Sequence, residues 1–483
     1  MSKFSVHNYL ILAGLILVLE FVTYGQEVEA TIVISAKTRS AQVDGRFAAD
    51  FAPVNPLNFY FRKAVTGNKK LGERISEVVL SGGSGPISYK QLMPGEFLAG
   101  SAYRSWSYKA DLSPVKDRSA AAHSSWVSDE QGILFLGDLL PQIDGRGRSI
   151  PAKLKITLPE GWKMLSAGEE IGKYTLRITN VERGVIRIGK EIRNIRIFGE
   201  AGPIDLNLSG NWLFTDDEAA GMAREIFDEY TRILGPLRNA RPWIAITGFP
   251  VRENPGSWEA ETRGQSVMIV SSDMPFKTQS QQRLHEQLRH EIFHLWFPNG
   301  VDLGGDYAWF YEGFALYQSL KIGVKLGRIR FDDFLDTLSR AHSIDEGERP
   351  RKPLTGPGAA SEIYARALLV AFLIDVDILS ATRGMEDSGD LLRRIFKKAG
   401  DLSDRVDATK LLRESIGSKT TLDRFVFGNE NVDWSAQLEQ VGIGSNSDRG
   451  TTRLSISQKL TGRQKQILRR LGYNINRNLG NKR

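Results

Sequence analysis

Residues 281–297 read QQRLHEQLRHEIFHLWF, and the fold turns on the five positions His290-Glu291-Ile292-Phe293-His294 within them. On a helix, positions i and i+4 differ by about 40° of rotation and one turn of height, so both imidazoles can converge on one ion from a single face. Glu291 sits about 100° further round, at the edge of that face. It can reach a water on the ion without ligating the ion itself. With 6 His in 483 residues, this pattern arises by chance about 0.005 times. His285 lies about 140° away from His290 on the same helix and reads as a surface or structural histidine.

A metal here must use His, Asp or Glu, because the chain has no cysteine. Zinc held by two histidines needs a third protein ligand and an open position if it is to be catalytic. Glu312 is the candidate, in the stretch WFYEGFALY at 309–317, early in the next predicted helix. A carboxylate among Trp309, Phe310, Tyr311 and Phe314 is costly to bury unless paired or metal-bound. The alternative is a solvated first-turn acid favoured by the helix dipole. One Zn²⁺ ion is the implied cofactor.

Outward from this centre, residues 31–210 show short apolar or alternating runs between Gly, Pro, Asn and Asp turns, the pattern of an all-β domain. Helical periodicity begins at Asp216, whose neighbours Asp217 and Glu218 also suit a first turn. Strands are expected at 243–247 and 266–271. A helix follows at 279–297, stopped by Pro298 and Gly300, and another starts near Asp306. Residues 331–441 are mainly helical by pattern, and the apolar run 364–379 is too short to span a membrane, so it reads as buried core.

The sequence His290-Glu291-x-x-His294-x-Trp296, followed by Trp309-x-x-Glu312-Gly313-Phe314-Ala315, resembles the gluzincin metallopeptidases, above all the aminopeptidase N and glycyl aminopeptidase branches. Tyr364-Ala365-Arg366-Ala367 is similar to their Tyr-x-Lys-Gly helix, with Arg and Ala in place of Lys and Gly. Phe425-Val426-Phe427-Gly428 and the turn Leu158-Pro159-Glu160-Gly161-Trp162 are similar to segments of the glycyl branch. The resemblance covers most of residues 30–444 and is strongest at 286–317. It implies an α+β multidomain chain with an N-terminal all-β domain at 26–210, after a segment at 1–25 that its own apolar run marks as a signal peptide, and a thermolysin-like catalytic domain at 211–330 carrying the zinc motif on helices. A C-terminal α-helical domain at 331–444 completes it, and the charge of residues 445–483 marks them as a basic tail beyond it.

The implied chemistry is metal-assisted peptide hydrolysis, with His290, His294 and Glu312 on zinc and Glu291 carrying the proton. Tyr364 is then the donor to the tetrahedral oxygen. Arg366 either binds a substrate carboxylate or pairs with a structural acid. The strand 266–271 is expected at a sheet edge, pairing with substrate backbone, which makes Gly264 and Ser266 substrate-binding candidates. The Gly-x-Met-Glu-Asn strand by which aminopeptidase N grips a free amine has no counterpart, the corresponding stretch reading Gly264-Gln265-Ser266-Val267-Met268-Ile269. Glu259 and Glu261 precede it, either as solvated acids of a polar loop or, in an aminopeptidase, as the candidates for amine binding.

The net charge of +7 is uneven: residues 445–483 hold ten Lys or Arg against one acid, Asp448, leaving the remaining body at −2. A nucleic-acid-binding body is thereby excluded. The tail reads as a linker with a short basic helix, either plainly solvated or in weak contact with an anionic membrane. Residues 9–19 (YLILAGLILVL) fit the apolar core of an export signal, cleaved or kept as an anchor. That predicts a periplasmic or extracellular protein acting on peptide or protein substrates. Three functions are consistent with the sequence: an exported zinc aminopeptidase, a zinc endopeptidase on the same scaffold, and a non-catalytic zinc-containing binding protein.

Overall fold

The computed structural model describes residues 28–473, apart from 50, 52, 54, 143–149, 239–240, 348–351, 356–359, 402–404 and 449–450. The signal reading at 1–25 and the tail residues 474–483 lie outside these described residues.

The alternating sequence after residue 28 folds into strands because every second side chain can be buried. In Val28–Ser35, Val28, Ala30, Ile32 and Ile34 point inward while the residues between them stay accessible. This strand lies inside an eight-stranded sheet, between Ala152–Thr157 and Ser40–Phe47. A four-stranded sheet of Lys163–Ser166, Val185–Gly189, Gln131–Phe135 and Trp126–Val127 leads to the rest of the molecule.

The central sheet has five strands: β1 (Arg193–Gly199), β2 (Gly202–Leu208), β3 (Trp243–Gly248), β4 (Trp258–Arg263) and β5 (Ser266–Ser271), in the order β1-β2-β3-β5-β4. Strands β2, β3 and β5 are parallel, and β1 and β4 run antiparallel at the two edges. Two expectations are corrected here. The all-β domain does not reach residue 210, since residues 193–208 belong to the central sheet; period-2 alternation looks the same on both sides of that boundary. Nor is 266–271 the edge: β5 is paired on both sides, and the edge is β4, whose sequence WEAETR had read as a polar loop.

Both faces of β3 and β5 are covered, which accounts for their nearly continuous apolar sequence. Ile244, Ile246, Val267 and Ile269 join the large core with the helices. Trp243, Ala245, Met268 and Val270 pack against Ala121, Ala122, Trp126 and Phe135 of the N-terminal domain. Arg187 crosses the same seam fully buried, its Nη2 donating to Ser209 Oγ at 2.6 Å and Thr247 Oγ1 at 2.8 Å.

Helix α1 (Asp216–Leu234) opens with a reciprocal cap: Thr215 Oγ1 accepts from the Glu218 N–H, and the Glu218 side chain accepts from the Thr215 N–H. Helix α2 (Lys277–Phe293) is followed by α3 (Ala308–Lys325), α4 (Phe331–Gly347) and α5 (Ala360–Ala381). Helices α3 and α5 approach closely at Gly313, where a Cβ would lie 2.5 Å from the Ala367 carbonyl oxygen. The apolar run in α5 is core, as expected, and among the described residues no helix is long and apolar enough to cross a membrane.

The tail departs from its linker reading. Ile443–Asp448 and Thr451–Ile456 form a hairpin, so the boundary at 444 falls within a strand, and the helix Gly462–Arg470 packs on the helical domain. Leu454, Ile467, Leu468 and Leu471 are buried in the main core. Four well-placed apolar residues anchor a segment whose average composition is polar.

Candidate metal centre and active site

Helix α2 presents His290 and His294 one turn apart, and α3 brings Glu312 against them. His290 Nε2 lies 3.2 Å from His294 Nε2, and Glu312 Oε2 lies 3.4 Å and 3.7 Å from the two nitrogens. Ligand atoms about 2.0–2.1 Å from a tetrahedral zinc are about 3.3 Å from one another, so the three atoms already stand at the edges of such a tetrahedron. The chemistry of the set agrees. His294 Nδ1 lies 2.9 Å from the Phe297 carbonyl oxygen, which takes the ring proton and leaves Nε2 with a free lone pair toward the ion. Glu312 Oε2 is buried with no hydrogen-bond partner, a cost that a cation removes. Burial pushes the Glu312 carboxyl up, yet His294 and His290 outweigh it and hold the group below its usual range. The residues fit zinc.

Glu291 points beside this set. Its Oε2 is 2.8 Å from the Thr262 hydroxyl of β4, which is also 3.1 Å from the Glu291 carbonyl oxygen. Burial raises its affinity for a proton, opposed by His290 and His294. Tyr364, in the first turns of α5, is 39% exposed. Burial first, then Glu312 and Glu291, push its phenol up, so it is a hydrogen-bond donor at any working pH. Tyr311 joins the wall, its ring 5.9 Å from that of His294.

Edge strand β4 contributes a carboxylate that sequence reasoning had left between solvent and amine binding. Glu261 is half-buried; its Oε2 is 2.7 Å from His123 Nδ1 of the N-terminal domain and its Oε1 is 3.1 Å from Arg263 Nε. Burial raises its pKa, but His123 and Arg263 prevail and bring it to about 2. Its charge also acts on Glu312, Tyr311 and Tyr364. Glu259 is likewise paired, with Arg118 at 2.8 Å. Thr262 and His123 were missed, and the pairing of Glu261 was not foreseen, because these contacts arise only when the β domain, the sheet edge and α2 meet. The alternation of Glu259, Glu261 and Arg263 was the one available signal of a strand.

Three substrate-binding candidates are corrected. Arg366 is 3% exposed and its Nε donates to Asp345 Oδ1 at 2.6 Å, so the structural-acid alternative holds. Gly264 forms the β4–β5 turn at φ +58°, its N–H donating to Asn299 Oδ1 at 2.7 Å. Ser266 is buried within the sheet, between Trp243 and Arg263. His285 is off the metal face, as expected, but it is buried rather than on the surface.

No family model and no curated protein sequence matches the chain. Solved structures do. An aminopeptidase N family protein from Idiomarina loihiensis superposes with a TM-score of 0.70 at 13% identity, over 87% of this chain and 79% of that one. An M1 zinc metallopeptidase from Deinococcus radiodurans gives 0.54 at 16% identity, over 84% and 93%. A variant of the Deinococcus enzyme bound to a Tyr-Ser-Ala substrate gives 0.55 at 16% identity, over 84% and 94%. The chain, with its N-terminal β domain, mixed central sheet and helical end, thus shares the fold of these aminopeptidase N-type and M1 zinc metallopeptidase structures.

Proposed function

We propose that the protein is a zinc-dependent peptidase working as an aminopeptidase. The observation that carries this reading is the set of three ligand atoms at tetrahedral spacing beside Glu291, itself fixed by Thr262. A purely structural zinc site has no use for that fourth residue. When bound at His290, His294 and Glu312, Zn²⁺ supplies a Lewis acid for the scissile carbonyl and a nucleophilic water near neutral pH. Glu291 takes the attacking water's proton and delivers it to the leaving amine, and its raised proton affinity suits both steps. The Tyr364 phenol donates to the oxyanion as charge develops there. The outer edge of β4 offers its N–H and C=O groups to an extended substrate. Glu261 receives the free amine: a carboxylate can accept about four hydrogen bonds, and two are taken by His123 and Arg263. The Deinococcus neighbour's Tyr-Ser-Ala ligand, a short peptide, supports this substrate class.

One observation favours endopeptidase action as a second reading. Arg263 already compensates the charge of Glu261, weakening its pull on an ammonium. Both readings are tested by mass spectrometry of free and amino-acetylated peptides incubated with the zinc-loaded protein, with Glu291→Gln as control. Stepwise loss of N-terminal residues from free peptides alone supports the aminopeptidase. Internal cuts in acetylated peptides support the endopeptidase, and no cleavage of either set refutes both.

Export is part of the proposal, resting on the apolar run at 9–19; N-terminal sequencing of the mature protein, compared with a full-length cytosolic control, tests it. Weak contact with an anionic membrane belongs to it as well. Lys465 and Arg469 face outward while the apolar face of their helix is buried, so the contact acts through charge alone. Liposome binding that survives high salt would overturn that.

A further inference from the structure

We infer that Arg366, through its ion pair with Asp345, is a positioning residue for Tyr364; the inference rests on the peptidase reading above. Arg366 and Asp345 are 3% and 4% exposed, and Arg366 Nε donates to Asp345 Oδ1 at 2.6 Å while its Nη1 reaches the Lys352 carbonyl oxygen at 3.4 Å. The pair ties α5 to α4. One residue along, α5 is held from another side: Ala367 lies against Gly313 of α3, where any side chain would strike the Ala367 carbonyl at 2.5 Å.

Consecutive helical residues point about 100° apart, so contacts at 366 and 367 fix both the position of α5 and its rotation about its own axis. Position 364 is one turn before 367 on nearly the same face. That face meets α3 at Gly313, the residue next to the metal ligand Glu312. Any rotation of α5 released by loss of the ion pair therefore swings Tyr364 across the mouth of the site. Buried ion pairs generally add little net stability over apolar side chains of equal volume, so geometry is the stronger reason for one here. The Tyr364 phenol also feels Glu312 ahead of every other charged group, in keeping with this placement.

The test is a cycle between Arg366→Met and Tyr364→Phe, read as kcat and KM on a free-amine peptide. Arg366→Met is expected to lower kcat roughly 10- to 100-fold, the size of effect of a misplaced oxyanion donor, with KM and zinc content unchanged. In the Tyr364→Phe background the same change should cost less than about 2-fold, because the group it positions is already gone. A full-sized loss of kcat in that background overturns the inference. A readout independent of turnover is the ¹⁹F resonance of 3-fluorotyrosine placed at 364 alone. It should shift or split in Arg366→Met and stay in place in Lys321→Met, which breaks the Lys321–Asp375 pair further along α3 and α5. An unmoved resonance in Arg366→Met overturns the inference, whether or not the wild-type protein cleaves any peptide. If Arg366→Met does not fold, Asp345→Asn/Arg366→Met, which leaves no buried charge unpaired, decides by the same readouts.

Discussion

His285 makes the acid stability of this protein predictable. Its ring is 2% exposed, its Nδ1 accepts from Arg289 Nη1 at 2.6 Å, and its buried Nε2 has no hydrogen bond, with Glu225 3.6 Å away. Burial first, then the charges of Arg289 and Arg328, bring its pKa from 6.5 to about 3. In the unfolded chain the ring titrates near 6.5, so between these values the unfolded state binds one more proton than the native state. The stabilisation is complete above pH 6.5 and is lost as pH falls toward about 3. At about 1.4 kcal/mol per pH unit, the loss is about 2 kcal/mol by pH 5 and about 5 kcal/mol by pH 3. His285→Asn keeps an acceptor for Arg289 and cannot titrate. Its own cost is therefore independent of pH. Urea unfolding at pH 7.5 and 5.0 should show the wild type losing about 2 kcal/mol more than the variant over that interval. Parallel acid declines, within about 0.5 kcal/mol, would show that His285 accepts a proton in the folded state against Glu225, and would refute the reasoning.

Glu291→Gln should retain zinc, measured by atomic emission, while turnover falls by roughly 10³-fold or more, since the proton carrier for both steps is removed. Glu261→Gln should raise KM for free-amine peptides roughly 10- to 100-fold, the worth of one charge-assisted bond, and leave acetylated peptides unchanged; a loss confined to kcat would remove Glu261 from amine binding. Deleting residues 445–483 should cost on the order of 6 kcal/mol in urea unfolding, because Leu454, Ile467, Leu468 and Leu471 leave the core. An unchanged unfolding midpoint would restore the disposable-tail reading.

What was legible in the sequence was local. The two histidines and Glu291 share one helical turn, and Glu312 sits in an aromatic motif that is hard to explain without a ligand. The site therefore stood out before any tertiary contact was known. Tyr364 depended on resemblance alone, since nothing in its apolar surroundings distinguishes a cleft tyrosine from a core one. Ser266 and Arg366 were misplaced for a common reason: a strand's apolar alternation does not say whether one or both of its edges are paired, and an arginine's charge does not say which acid it meets. The tail misled through its average composition, because hairpin strands with few large apolar residues look like linker until they pack on α4, where the Leu454 N–H donates to Ser339 Oγ at 3.0 Å.

The polar sequence of β4 follows from what it touches. A sheet edge facing solvent is commonly charged to prevent pairing with other chains. Here the charges point elsewhere: Glu259 to Arg118, Glu261 to His123, and Arg263 Nη2 to the His123 carbonyl oxygen at 3.1 Å. Both partner residues, Arg118 and His123, belong to the N-terminal domain, and the alternate residue Thr262 holds Glu291. One strand thus joins the β domain to Glu291 through its two faces, and on the proposed function its outer edge meets substrate. On the proposed function the β domain is then part of the active site. Loosening its contact with β4, by His123→Ala for example, should therefore act on peptide binding before it acts on zinc.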